Sequence, residues 1–249
     1  MRVVTFVMAA GLLASAVDVA AQTDESRFFI GLSGAFEPGT QIYSDGSTFS
    51  KYDELGRVDV SSEVSSGAVL DFGVGARLTG NWIAAANFHR TSSTDFADVS
   101  GQVPHPLFFD RPRSFSGTVD DLKRTEQALH LSLGYRLGLT DKLDVQFLAG
   151  PSQFRFTQEV VSGVDFTEAG GAFTAVNLTS QTQVRKHNAW GGHVGADVSY
   201  QIAQSGTSNF RLGAYVRYAE AASEFQVISQ TAKTKVGGIQ FGGGLRVRF

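Results

Sequence analysis

The chain has 249 residues, a net charge of −3 and no cysteine. With neither a basic stripe nor a thiol, it offers no footprint for nucleic acid and excludes disulfide scaffolds, cysteine metal sites and thiol catalysis. A hydrophobic content of 42% with mean hydropathy of −0.04 is too low for a helical membrane protein; it suits a sheet in which alternate residues face lipid.

The first 21 residues read as an export signal. Arg2 supplies a positive start, Val3 to Val17 form an apolar stretch, and Val19-Ala20-Ala21 gives a small-residue cleavage site. Asp18 argues against a retained anchor, because it shortens a stretch already short for a membrane span. Cleavage after Ala21 is expected, leaving one domain over 22–249 that starts at Gln22.

Beyond residue 22, period-two alternation recurs eight times. Phe28, Ile30, Leu32, Gly34 and Phe36 oppose Phe29, Gly31, Ser33 and Ala35. Leu70, Phe72 and Val74 oppose Asp71, Gly73, Gly75 and Arg77. Trp82, Ala84, Ala86 and Phe88 oppose Ile83, Ala85, Asn87 and His89. Leu129 to Leu139 in odd steps oppose His130, Ser132, Gly134 and Arg136. In the second half, Val145 and Phe147 alternate with Asp144 and Gln146. Val194, Val198 and Tyr200 alternate with His193, Asp197 and Ser199. Phe210 to Tyr218 alternate with Arg211, Tyr215 and Arg217, and Phe241 to Phe249 with Gly242, Gly244, Arg246 and Arg248. This patterning predicts strands throughout.

Tight connections at 79–81, 140–142 and 204–209 alternate with long polar segments near 38–64, 93–124, 158–180 and 223–234. Short turns on one side and long loops on the other predict an all-β, antiparallel, up-and-down transmembrane barrel of about eight strands with four extracellular loops. A ten-stranded count would recruit part of the first or third long segment. The second face is glycine, serine and scattered charge, unlike a solvated sheet. The six lysines avoid mid-strand positions, and aromatic residues mark strand ends, as in the girdles of a bilayer barrel.

The terminal strand, Phe241-Gly-Gly-Gly-Leu245-Arg-Val247-Arg-Phe249, resembles that of bacterial outer-membrane proteins. The resemblance implies that Phe241, Leu245, Val247 and Phe249 form the strand read by the barrel-assembly machinery, with Gly243 departing from the usual bulky residue. From about residue 27 onward the chain is similar to small barrels of the OmpA transmembrane-domain and OmpX kind. No periplasmic domain of the full-length OmpA type is expected after Phe249. The implied partners are outer-membrane lipid and lipopolysaccharide, and the implied state is a monomer.

The inward face carries Asp71, Arg77, His89, His130, Arg136, Asp144, His193, Asp197, Arg211, Arg217, Arg246 and Arg248. An eight-stranded barrel is only wide enough for its own side chains, so these residues are expected to pair into a filled lumen. A polar pore is the alternative reading. His89, His130 and His193 match no metal-ligand spacing and are expected in the hydrogen-bond network, with no metal and no cofactor.

The segment Val103 to Arg113 sets Leu107, Phe108 and Phe109 beside Arg111 and Arg113, a pattern that suits an exposed contact site. No catalytic motif appears. Arg90, Ser92, Ser93 and Asp95 at a predicted rim would serve an outer-leaflet lipid-modifying enzyme, yet polar rims need no catalysis. The chain is expected to be non-enzymatic, with a structural or surface-interaction role, or else a narrow passive channel.

Overall fold

A computed structural model describes residues 26–38, 41–64, 67–169, 171, 173–226 and 231–249. The export signal and its cleavage at Ala21 lie outside the described residues. Eleven strands run in chain order: β1 (Phe28–Glu37), β2 (Gln41–Lys51), β3 (Glu54–Val64), β4 (Gly67–Arg77), β5 (Trp82–Val103), β6 (Arg113–Gly138), β7 (Leu143–Ala169), β8 (Ala175–Ser205), β9 (Ser208–Gln226), β10 (Thr231–Val236) and β11 (Ile239–Arg248).

Eight of them close an antiparallel up-and-down barrel: β1 pairs β4, then β5, β6, β7, β8, β9 and β11 follow, and β11 returns to β1. The ring therefore has the expected strand number. The ten-strand rival does not form. A hairpin, β2–β3, does arise from the first long segment, but it joins the upper part of β5 instead of entering the ring. β10 pairs with the top of β9 in the same way.

Closure follows from the pattern of faces. Around the ring the exterior is apolar: Phe28, Leu32, Phe72, Trp82, Leu133, Phe147, Val194, Leu212 and Leu245 all point outward and are exposed. A continuous sheet leaves no edge for the hydrocarbon layer to face. Trp82 packs edge-on against Tyr135 near the short turns, at 5.4 Å between rings.

The expectation of four long loops is corrected. Most of 38–64, 93–124, 158–180 and 223–234 is strand, and β5 to β8 rise far above the ring with 22, 26, 27 and 31 residues. With β2 and β3 they form a second tier on one side of the barrel. Its core is Val58, Val60, Ala97, Val99, Leu122 and Val161, with Phe49, Phe115 and Phe166 packed against it. The Phe49 and Phe166 rings stack at 5.2 Å, joining the first and fifth strands of this tier.

The tier has its own polarity rule. In the ring, apolar side chains point out and polar ones in; above it, the valines turn inward and Ser, Thr, Asp and Arg turn out. On β5 the inward residues run His89, Asp95, Ala97 and Val99, while the outward ones run Phe88, Arg90, Ser92 and Asp98. The backbone keeps its period, and the chemistry of each face inverts where lipid gives way to water.

Candidate functional site

The lumen is built in layers, each set by which residues the alternation sends inward. Nearest the short turns, Asp144 accepts from Arg248 at 2.5 and 2.8 Å and pairs with Arg211 at 2.6 Å. Ser199 donates to the same carboxylate at 2.9 Å. Above it, Arg246 reaches Asp197 at 2.7 Å and donates to Ser33 at 2.7 Å. These charges are enclosed and paired, the condition under which buried ions persist. Glycines make room for the long side chains. A Cβ at Gly31 would meet the Arg246 stem at 3.0 Å.

The middle layer is one continuous network. Arg217 donates to Asp71 at 2.7 Å, to Gln240 at 2.6 Å and to His89 Nδ1 at 3.3 Å, and Gln240 donates on to Glu37 at 2.7 Å. His89 Nδ1 lies 2.9 Å from His130 Nε2, and His130 Nδ1 lies 2.7 Å from Ser152 Oγ. Ser152 Oγ is 2.9 Å from His193 Nδ1, whose Nε2 is 2.8 Å from Ser132 Oγ. Glu37, Asp71, His89, His130, Ser152, His193, Arg217 and Gln240 come one from each of the eight ring strands. The network is a cross-brace.

Elementary donor and acceptor rules give it a direction. A guanidinium can only donate, so His89 Nδ1 accepts and His130 Nε2–H donates to it. Ser152 then donates to His130 Nδ1, His193 Nδ1–H donates to Ser152, and Ser132 donates to His193 Nε2. In this assignment His89 Nδ1 is shared between two donors, Arg217 and His130. The free end points His89 Nε2 towards Glu126, 3.9 Å away, and Glu126 is held by Arg124 at 3.0 Å.

An apolar plug covers this brace on the long-extension side. Phe154, with no exposed surface, sets its ring edge-on to His89 and His130, and Phe156, Ala128, Ala189, Ala219, Ala221 and Val236 complete the layer. Beneath the plug a cavity of about 60 Å³ remains, lined by Ser132, His193, Asp197, Tyr215 and Arg217 together with apolar residues such as Leu148 and Val216. That is space for a few waters, each finding polar partners.

Of the sequence candidates, Asp71, His89, His130, His193 and Arg217 meet in the brace, while Asp144, Asp197, Arg211, Arg246 and Arg248 meet in the layers below. Arg77 and Arg136 are half-buried towards the short turns, where their backbone N–H groups bond the Arg27 and Asn81 carbonyls. Ser132, Ser152, Gln240 and the Phe154 plug have inward parity but carry no charge to mark them, and Glu37 stands at the very end of its alternating run. No His, Asp and Glu cluster among the described residues is arranged to hold a metal ion.

The candidate rim group does not assemble. Arg90 and Ser92 point outward and Ser93 and Asp95 inward, with Ser93 donating to Asp95 at 3.1 Å and Ser92 to the Arg124 carbonyl. Phe241 and Leu245 on β11 and Phe249 just after it are exposed, with Val247 half-buried among them. At the summit of the second tier, Leu107, Phe108 and Phe109 are exposed, Phe109 to 77%, as is Leu55 on β3. Arg111 lies over the Phe108 ring at 5.8 Å.

No protein-family model matches the sequence, and no curated protein matches it. Among solved structures the chain is similar to the outer membrane protein OprG from Pseudomonas aeruginosa, with 12% identity, a TM-score of 0.42, and 90% of this chain and 96% of that one covered. It is also similar to Neisserial surface protein A, at 14% identity and a TM-score of 0.40 over 89% and 97% of the chains. Ail, the attachment invasion locus protein of Yersinia pestis, in complex with the heparin analogue sucrose octasulfate, gives 12% identity and 0.38 over 88% and 99%. The barrel itself stands on its own ladders and faces.

Proposed function

We propose that this chain is an integral outer-membrane protein with a closed barrel, and that its work is done at the cell surface by the second tier. The carrying observation is the cross-brace. It ties all eight ring strands across the lumen beneath an apolar plug, so the barrel serves as an anchor and the raised strands serve as the working part. The apolar ring exterior and the aromatic residues near its lower rim support a bilayer setting. The exposed Leu107, Phe108 and Phe109 at the top of the tier support a role in contact or adhesion. Phe241, Leu245, Val247 and Phe249 are read as the strand recognised during barrel assembly, and the single chain as a monomer.

Planar-bilayer conductance of the refolded protein tests the reading. A folded barrel should give no stable steps at neutral pH. Discrete steps that change with Arg217→Ala would make it a channel and sink the closed-lumen proposal.

A further inference from the structure

We propose that the outer wall of β5 to β8 carries a binding site for the phosphorylated sugar headgroup of an outer-leaflet lipid, centred on Arg90, Arg155 and Lys186. The inference rests on the reading above that the long extensions stand on the outer-leaflet side.

The strand registers place the site. Along the upper edge of the apolar exterior, Phe88, Leu129, Gln153 and Trp190 are cross-strand neighbours in one line, and all four are exposed. Two residues further up each strand, on the same outward face, the line is Arg90, Gln127, Arg155 and Asn188. The next is Ser92, Thr125, Thr157 and Lys186. Apolar exterior thus gives way within one line to cations, amides and hydroxyls.

The cations are uncommitted. Among the described residues, no carboxylate lies within ion-pair distance of Arg90, Arg155 or Lys186, whereas the lumenal arginines of the lower layers and Arg217 are each matched to an aspartate. Two acids described on this face already have partners. Glu159, two residues beyond Thr157, accepts from Thr182 at 2.7 Å, and Glu220 on β9 is held by the Tyr218 hydroxyl.

The spacing selects the ligand. Arg90 and Arg155 stand two strands apart, about 10 Å at the usual strand separation. Gln127 lies between them, and Asn188 and the hydroxyls of Ser92, Thr125 and Thr157 surround them. Guanidinium forks suit phosphate oxygens, and amides and hydroxyls suit sugar hydroxyls. Acyl chains of the same molecule would descend over Phe88, Leu129 and Trp190. A phosphorylated disaccharide lipid meets all three demands, while a simple anionic phospholipid uses only the charge.

Native mass spectrometry of the folded protein in phosphatidylcholine nanodiscs tests this, with bisphosphorylated lipid A, its monophosphoryl form and phosphatidylglycerol as probes. Bisphosphorylated lipid A should be retained most and phosphatidylglycerol least. Arg155→Gln and Lys186→Gln should each lower lipid A retention about fivefold, the effect expected per interfacial cation. Equal retention of phosphatidylglycerol, or unchanged lipid A retention in the Arg90→Gln/Arg155→Gln/Lys186→Gln variant, would overturn the proposal. These side chains point away from the lumen, so the variants should still fold by gel shift. Conductance steps would sink the closed-lumen reading and leave this site standing; undiminished lipid A binding in the triple variant would do the reverse.

Discussion

Arg113 and Glu168 hold three separate tips of the second tier together. Arg113, on β6, pairs with Glu168 on β7, one bond measuring 2.9 Å, and also donates to the Pro104 and Phe173 carbonyls at 2.9 Å each. Tyr52, at the β2–β3 tip, donates to the same carboxylate at 3.0 Å. The backbone N–H of Asp110 adds a bond to Glu54 at 3.0 Å. Arg113→Ala should therefore release all three tips at once. Amide hydrogen exchange over 104–112 should quicken about tenfold, while exchange within the ring strands stays unchanged.

The same clamp should loosen in acid. The Arg113 hydrogen bonds hold the Glu168 carboxyl below its ordinary value near 4.5, against a smaller opposing effect of burial, with Tyr52 adding to the lowering. A carboxylate lowered on folding contributes stability above its unfolded value and loses it as pH falls through its folded value. The summit should stay tied at pH 7 and loosen only below about pH 4.5. Exchange corrected for its intrinsic pH dependence checks this, and Glu168→Gln should abolish the acid step.

Arg217 is the hub of the lumenal brace, and its loss would strand Asp71 in a buried setting. Arg217→Met should destabilise the barrel by about 3 kcal/mol. Adding Asp71→Leu should recover part of the loss, since the uncompensated charge goes with it. Urea unfolding in detergent micelles, followed by gel shift, measures both.

Phe154 fills the plug completely, so truncation leaves a void. Phe154→Ala should cost about 3 kcal/mol in the same assay. If the brace alone seals the lumen, the variant stays silent in planar bilayers even so.

The summit triplet should matter little for stability. Leu107, Phe108 and Phe109 bury little, so replacing all three by serine should leave unfolding midpoints within about 0.5 kcal/mol of the parent. Cells displaying the protein should nevertheless lose retention on a phenyl resin. Retention equal to the parent would show that the patch is not the adhesive surface.

Much of the ring was legible because lipid imposes one rule on every strand. Phe72 beside Asp71 and Leu131 beside His130 announce both the strand and its faces. The inward charges were legible for the same reason, while their partners Ser152, Ser132 and Gln240 were not, since neutral side chains acquire meaning only when the ring brings strands together. The second tier reads as loop in the sequence because its polarity inverts. Val58 and Val60, or Ala97 and Val99, alternate as cleanly as any ring strand, but against Asp, Ser and Arg they look like polar sequence. Irregular registers between Asp95 and Ala97 and between Val161 and Gly163 interrupt the count further, and Asp121 takes a φ of +61° opposite the first. The continuation of a strand past the bilayer leaves only half the apolar signal that a bilayer strand carries.

The unequal strand lengths give the molecule a heading. β1, β4 and β11 stop after 10 or 11 residues, while β8 continues for 31. A barrel with even walls looks alike from every side of the membrane plane. This one has a tall flank and a low one, so a neighbour approaching across the bilayer meets a parapet from one direction and an open sill from the other. Any partner that binds the raised strands must also settle which way the anchor beneath them faces.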